Sequence, residues 1–275
     1  MKYDFSLCGR KEIKDFIEEH HYSKSINGVK SSYCFSIKLE DSIVGAANVS
    51  LNFEVEKYIW NDYNKDLIDS YQVMFSNAEE YINECWKLFL GGFGEYYKLR
   101  DTFNKEKLTE FERAVLFQYL NKHGFNGLCR YNKSGLFNVP IGTITKKCKN
   151  VPTDSILNLV EKHKNNTKLT SVSFAEVFNY ASDNGDCLIY SDPPYVPLTS
   201  DFKYTSEGFG KIEHEQLKTL SKQCNNVAII SNHWTPYTEE LYSDADEVYI
   251  FDVQRTISSD GNNRKKVQEC VVVYY

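Results

Sequence analysis

From residue 153 onward the chain alternates between short apolar runs and helical stretches, and this alternation limits the possible folds more than any other feature. The pattern predicts helices over 154–164, 174–182, 213–224 and 236–242, and strands over 169–173, 187–191, 227–231, 247–253 and 267–274. Apolar strands separated by helices are covered on both faces, as in a doubly wound, Rossmann-like α/β sheet. Ligands of such sheets bind beyond the carboxyl ends of the strands. Two polar clusters fall there: Asp192-Pro193-Pro194-Tyr195, and Ser231-Asn232-His233.

The first cluster suits one chemistry in particular. Asp192 can accept hydrogen bonds from an exocyclic amino group. The two prolines fix φ and remove backbone donors, so the Pro193 carbonyl can be held toward the same group. Tyr195 offers a flat face for stacking. Together they suggest alkyl transfer to the amino group of a planar base. The plain alternative is a strand that ends in a proline-rich turn, with Tyr195 as a lid on the core.

Before residue 153 the pattern changes. Residues 11–23 read as a short amphipathic helix, and 33–50 as two strands joined by Glu40-Asp41-Ser42. Tyr58-Ile59-Trp60 forms a strand that ends at Asn61-Asp62. Helices follow over 65–75 and 77–90, with Gly91-Gly92-Phe93-Gly94 as a break. Thr109-x-x-Glu112 is a capping box opening a helix that runs to about Lys122. Residues 125–142 read as a loop and a hairpin turning at Lys133-Ser134-Gly135.

Charge is uneven along the chain. The net charge is −6, yet residues 113–153 hold seven basic residues and no acid, in a chain with 38 Asp and Glu. Residues 255–268 add Arg255, Arg264, Lys265 and Lys266 against Asp260 alone. Two basic islands in an acidic protein suggest a localised polyanion footprint. The eight cysteines show no zinc-ligand spacing, so no metal is expected, and several sit in apolar runs as small core residues. With no signal peptide and no membrane-length apolar run, a cytoplasmic setting is the expectation.

From about residue 51 to 275 the chain resembles the Dam family of DNA adenine N6-methyltransferases. The resemblance rests on NDYNKDLIDSY (61–71), RAVLFQYLNKHGFNGLCRYNKSGLFNVPIG (113–142), YSDPPYVPL (190–198), ISNH (230–233) and RTISSDGNNRKKV (255–267). It implies a methyltransferase domain formed by 1–66 and 151–275, with a mainly helical target-recognition domain, 67–150, inserted and carrying the hairpin. It also implies S-adenosylmethionine as cofactor, double-stranded DNA with GATC-like sites as substrate, and a flipped-out adenine. The sequence itself does not reveal the oligomeric state; a monomer is the expectation. Asp192, Pro193, Pro194 and Tyr195 would carry catalysis. Asp62 would accept from the cofactor ribose, and Glu176 would lie near its adenine.

On the DNA side, Arg130 is the candidate for a bidentate guanine contact, and Leu128 and Pro140 for a thymine methyl. Phe125 would wedge into the stack, and Asn126 would pair with the orphaned partner or with an adenine. Lys133, Lys146, Lys147, Arg264, Lys265 and Lys266 would position phosphates.

The first fifty residues depart from the family. Its opening Lys-Trp-Ala-Gly-Gly-Lys-like segment has only Cys8-Gly9-Arg10-Lys11 as a counterpart. Its acid-Pro-Phe-x-Gly-x-Gly cofactor turn corresponds to residues 41–47, where Asp41 and Gly45 remain and Ala47 replaces the second glycine. A Cβ at Ala47 would crowd the cofactor if φ there is positive. Residues 11–49 also look like the opening helix and strands of a GNAT-type, Mom-like acyltransferase. An alternative reading is therefore a catalytically impaired DNA- or protein-binding module with a chimeric N-terminus.

Overall fold

The protein was analysed as a computed structural model, which describes residues 34–38, 43–44, 57–144, 150–184, 187–198, 209–254 and 266–275. Asp41, Gly45, Ala47, Lys146, Lys147, Arg264 and Lys265 lie outside the described residues, as do the helix expected over 11–23 and most of the acyltransferase-like stretch.

The fold is mixed α/β. Its strands are β1 (Cys34–Lys38), β2 (Ile43–Val44), β3 (Tyr58–Asn61), β4 (Thr167–Thr170), β5 (Leu188–Asp192), β6 (Val227–His233), β7 (Glu247–Gln254) and β8 (Lys266–Tyr274). Among the described residues they form one sheet in the order β4-β3-β1-β5-β6-β8-β7, with β2 also paired to β5. β3 and β4 are parallel, as are β5 and β6. β1 runs antiparallel to both β3 and β5, and β8 antiparallel to both β6 and β7. Hence β3, β4, β5, β6 and β7 point the same way, and their carboxyl ends share one rim.

Strand residues alternate between two cores, as a two-residue period requires. Tyr58, Trp60, Leu188, Tyr190, Ile229, Val271 and Val273 face one core. Ile59, Ile189, Ala228, Ile230, Cys270, Val272 and Tyr274 face the other. Helices α6 (Phe174–Asn184), α7 (Lys211–Gln223) and α8 (Pro236–Leu241) supply the second core. The buried cysteines Cys187, Cys224 and Cys270 pack there as small apolar residues.

The first core continues into a helical region. Helices α1 (Lys65–Ser76), α2 (Ala78–Leu90), α3 (Tyr96–Lys105), α4 (Glu110–His123) and α5 (Thr153–His163) all contribute buried residues to it. From Ala114 to Leu120, α4 is buried on nearly every side, which makes it the central helix, packed against α1, α2 and α3. Its N-terminus carries the expected capping box: the Thr109 hydroxyl accepts from Glu112 N, and the Glu112 carboxylate accepts from Thr109 N. The boundary expected between 66 and 67 falls inside α1, whose N-cap is Asn64. α3 was not expected. It follows a glycine-rich turn, has no side-chain cap, and buries only Tyr96 and Phe103, so its apolar period is too sparse to read. β4 begins two residues earlier than expected, because as an edge strand it is set by its pairing with β3 rather than by burial.

One buried group makes stability depend on pH. His163 packs edge-on to Tyr58 at 4.8 Å and lies 5.1 Å from Trp60. Neither of its ring nitrogens has a partner among the described residues. Burial pushes its imidazole down to about 4 from an ordinary 6.5, with Lys162 adding to the effect. The unfolded chain therefore takes up the proton first. The stability from keeping His163 neutral is complete above pH 6.5 and is lost as pH falls toward 4, up to about 3 kcal/mol. The His163→Phe variant should show a flatter fall in melting temperature across that interval. The residual slope should come in part from His214, which burial also lowers to about 4.

Candidate active site and DNA-binding surface

At the shared rim, β5 ends in Asp192 and β6 ends in Ser231, Asn232 and His233. β6 is two residues longer than expected, because Asn232 and His233 continue the pairing with Cys270 and Glu269 of β8. Ser231 bonds Asp192 itself, and Asn232 and His233 bond the segment after it. The Ser231 hydroxyl donates to Asp192 Oδ1 at 2.7 Å and accepts from the Tyr190 hydroxyl at 3.2 Å. Asn232 Oδ1 accepts from Val196 N at 2.9 Å, and Asn232 Nδ2 donates to the Tyr242 hydroxyl at 3.2 Å. His233 Nδ1 donates to the Val196 carbonyl at 2.7 Å, which fixes its tautomer. The Tyr195 ring stands edge-on to His233 at 4.9 Å.

This bracing fixes a loop that its prolines alone only stiffen. Asp192 keeps some solvent access. Burial nevertheless pushes its carboxyl up to about 6, against the pull of hydrogen bonds from Ser231 and Tyr195. Below the loop, His214 of α7 is buried; the Pro194 carbonyl beside it only partly offsets the lowering by burial. Sequence reasoning placed Ser231, Asn232 and His233 at a strand end but assigned them no role. Their signal was the polar Ser-Asn-His run directly after four strand residues.

Two strands away along the rim, β3 leads into Asp62, only 3% exposed. Asp62 Oδ1 accepts from Asn64 N at 2.7 Å, so the carboxylate orders the turn into α1, while Asn64 and not Asp62 caps that helix. The preceding Asn61 accepts from Val172 N at 3.0 Å and donates to the Val172 carbonyl at 3.1 Å. This double contact brings the 171–173 segment, and the start of α6, beside Asp62. Glu176 has a structural role there, because its carboxylate accepts from Ser173 N and from the Ser173 hydroxyl and so closes a capping box.

The expected recognition segment is compact but is not a regular hairpin. It opens with a 3-10 turn at Phe125–Gly127 and is closed by isolated bridges, Gly124 with Ile141 and Tyr131 with Phe137. Asn132 organises the tip by accepting from Ser134 N and Leu136 N, and Gly135 adopts φ 72°. At the base, a Cβ on Gly142 would lie 2.8 Å from the Gly124 carbonyl oxygen, so the close backbone approach needs glycine. Phe125, Arg130, Lys133 and Pro140 are exposed, and Leu128 is half-buried. Asn126 lies in the 3-10 turn, and Lys266 opens β8.

Arg130 is held rather than loose. Its Nε donates to Asn138 Oδ1 at 2.8 Å and its Nη2 to the Asn138 carbonyl at 3.3 Å. The unforeseen α3 is the mount of the segment, through residues spaced four apart on one face. Tyr96 and Arg100 both donate to the Val139 carbonyl. Asn104 donates to the Phe137 carbonyl and accepts from Phe137 N. Tyr131 donates to Asp66 of α1, which also forms an ion pair with Arg113. Arg113 thus leaves the basic island as a structural partner.

The chain matches a family model described as D12 class N6 adenine-specific DNA methyltransferase over residues 39–257. That match opens before residue 51 and takes in Asp41, Gly45 and Ala47. The chain is 36% identical over 245 residues to the DNA adenine methylase of Escherichia coli (strain K12), covering 86% of each. It is 36% identical over 248 residues to the DNA adenine methylase of Haemophilus influenzae, covering 86% of this chain and 84% of the relative. With the DNA adenine methylase of Vibrio cholerae serotype O1 it shares 35% identity over 247 residues, 86% of this chain and 87% of the relative. The chain belongs to the D12 class of N6 adenine-specific DNA methyltransferases, enzymes that move a methyl group from S-adenosylmethionine to the exocyclic amino group of adenine in DNA.

Proposed function

We propose that this enzyme methylates adenine within a GATC-like site of double-stranded DNA, with the target nucleotide turned out of the duplex and received between Asp192 and Tyr195. The observation that carries this reading is the Asp192 carboxylate, braced by Ser231 at the carboxyl end of β5 with Tyr195 beside it. The N6 lone pair of adenine is delocalised into the ring and is a poor nucleophile. Acceptors at Asp192 and the Pro193 carbonyl would draw the amino hydrogens out of the ring plane and return the lone pair to nitrogen. Stacking on Tyr195 would hold the base once it leaves the helix. A base still in the duplex cannot reach such a rim.

The residues at the neighbouring strand end fit the cofactor. Asp62 is a buried carboxylate at the end of β3, an acceptor suited to ribose hydroxyl donors. Glu176 opens the neighbouring α6, and its capping of Ser173 through Oε1 leaves the second carboxylate oxygen able to accept from an adenine amino group. Asp41, Gly45 and Ala47 would supply the turn around the methionine moiety. When bound, S-adenosylmethionine supplies an electrophilic methyl on a sulfonium; orientation of the base is the work of the protein.

The sheet with helices on both faces is then the doubly wound methyltransferase body, and the helical region with the 125–142 segment is the inserted recognition unit. Arg130, pre-oriented by Asn138, would read guanine. Leu128 and Pro140 would contact a thymine methyl, and Phe125 and Asn126 would fill the space beside the extruded base. Lys133, Lys146, Lys147, Arg264, Lys265 and Lys266 would lie along phosphates. The enzyme would act as a monomer in the cytoplasm.

Mass spectrometry of duplexes incubated with enzyme and S-adenosylmethionine tests the reading directly: N6-methyladenine should form in GATC and not in a scrambled site. Equal methylation of both would remove the site assignment. Because an ionised Asp192 is the acceptor and its carboxyl is raised to about 6, kcat/KM should fall as pH drops through about 6. The Asp192→Asn variant should lower kcat by roughly 100-fold or more, by analogy with loss of one preorganised group in a polar site, and lose this titration.

The Arg130→Ala variant should cost about 1–3 kcal/mol of discrimination at one base pair. The Lys146→Ala variant should weaken binding to all sequences alike and flatten its salt dependence. Equal loss on cognate and scrambled DNA for Arg130→Ala would assign Arg130 to phosphate instead.

A further inference from the structure

We infer that Ser231 is a positioning residue for Asp192: with Tyr190 behind it, it forms a one-way hydrogen-bond chain that occupies Asp192 Oδ1 and turns the remaining carboxylate oxygen to the adenine amino group. An ionised carboxylate can only accept, and at 2.7 Å it is nearer to the Ser231 hydroxyl than the other acceptor there, the Ser191 carbonyl at 3.4 Å, so the Ser231 proton points to Asp192. The Ser231 oxygen is then the acceptor for the Tyr190 hydroxyl at 3.2 Å. Both Ser231 and Tyr190 are buried, Ser231 completely, so water does not compete for these positions. The chain lies on two adjacent parallel strands whose register pairs Ser191 with Ile230, which holds the donor and the acceptor side by side.

A hydrogen bond from a buried hydroxyl to an anion favours the anion. Ser231 therefore has a second effect: it keeps Asp192 ionised in a setting where burial works the other way. Among the described residues, the other titratable groups packed around this point are Tyr195 of the same loop, whose hydroxyl also bonds Asp192, His233 on β6 with Glu269 opposite it on β8, and His214 on α7. His233 and His214 are turned to backbone carbonyls of the loop, at Val196 and Pro194. Their protonation would act on the loop rather than on the hydrogen bond to Oδ1.

The inference rests on the proposed role of Asp192 as the amino-group acceptor. The test compares pH profiles of kcat/KM for the wild type, Ser231→Ala, Ser231→Thr and Tyr190→Phe, together with melting temperatures and DNA affinities. Ser231→Ala should move the acidic limb up by on the order of one pH unit and lower kcat about tenfold, with KM for DNA unchanged. Tyr190→Phe should move the limb the same way by less, and Ser231→Thr, which keeps the hydroxyl, should restore it.

A folded Ser231→Ala enzyme with the wild-type limb overturns the inference, as does an equal shift in Ser231→Thr. Should Ser231→Ala not fold, Tyr190→Phe, which loses one atom, decides by the same limb. Carbon-13 NMR of labelled aspartate carboxyls, with the Asp192 signal assigned through Asp192→Asn, reads the same titration without turnover. If no duplex is methylated, the role of Asp192 fails, while an upward carboxyl shift in Ser231→Ala still supports the brace and an unchanged one overturns it.

Discussion

The register between β5 and β6 is the constraint on which the site depends. Ile189 pairs with Ala228 and Ser191 with Ile230, so the polar ends of both strands finish level. A slip of one residue would turn Ile230 or Asn232 to the place of Ser231 and exchange the two faces of the strand. What prevents the slip is apolar burial. Ile189, Ala228 and Ile230 are fully buried in one core, and Leu188, Tyr190 and Ile229 lie in the other. Each large residue held on the correct face is worth about 1.5–3 kcal/mol against exposure, so the slipped alternatives are closed by several such terms acting together. A carboxylate with a raised pKa is thus placed by hydrophobic residues of the two cores.

A second polar hub joins the sheet rim to the proposed recognition segment. Asp62 holds Asn64 N, Asn64 caps α1, and Asp66 in the first turn of α1 takes both Arg113 and Tyr131. Asp66 is 9% exposed, and an ion pair at that depth is weak evidence for net stability. Its value is geometric, because removing one partner strands a charge. Arg113 also lies over the Phe103 ring at 4.0 Å and donates to the Phe103 carbonyl, which ties α3 to the same point. Helix α1, helix α4 and the Tyr131 hydroxyl therefore meet at the Asp66 carboxylate, with α3 tied in through Arg113 and β3 through Asp62 and Asn64.

How far the sequence reveals these features follows from the kind of force behind each. The strands and helices after residue 153 were readable because burial imposes a period of two or 3.6 on side-chain polarity. The capping box of α4 was readable because both halves of the interaction lie within four residues. α3 was not, because its stabilising contacts are hydrogen bonds from Tyr96, Arg100 and Asn104 to a backbone more than thirty residues away. The rim followed the same rule. Asp192 and Tyr195 announce themselves as a local string, whereas Ser231 gains meaning only from the strand pairing that sets it against Asp192. Glu176 shows the converse: a local serine partner gives it a capping role that a reading for ligand contacts alone passes over.

The 125–142 segment shows why the same protein needs both kinds of specification. An isolated hairpin is marginal in water, and this one has single bridges in place of a ladder. Its edges stay polar and exposed, as a surface that meets phosphates and base edges on the proposed reading must be. A core cannot hold it, because on that reading burying those edges would remove them from DNA. Rigidity must come from behind, through Val139 and Phe137, whose side chains are buried while their backbone groups are bound by α3. Asn138, between them, is left to orient Arg130 on the outer side. Phe137 and Val139 are buried while Asn138 and Pro140 stay accessible, so alternate residues along 137–140 serve the mount and the outer side.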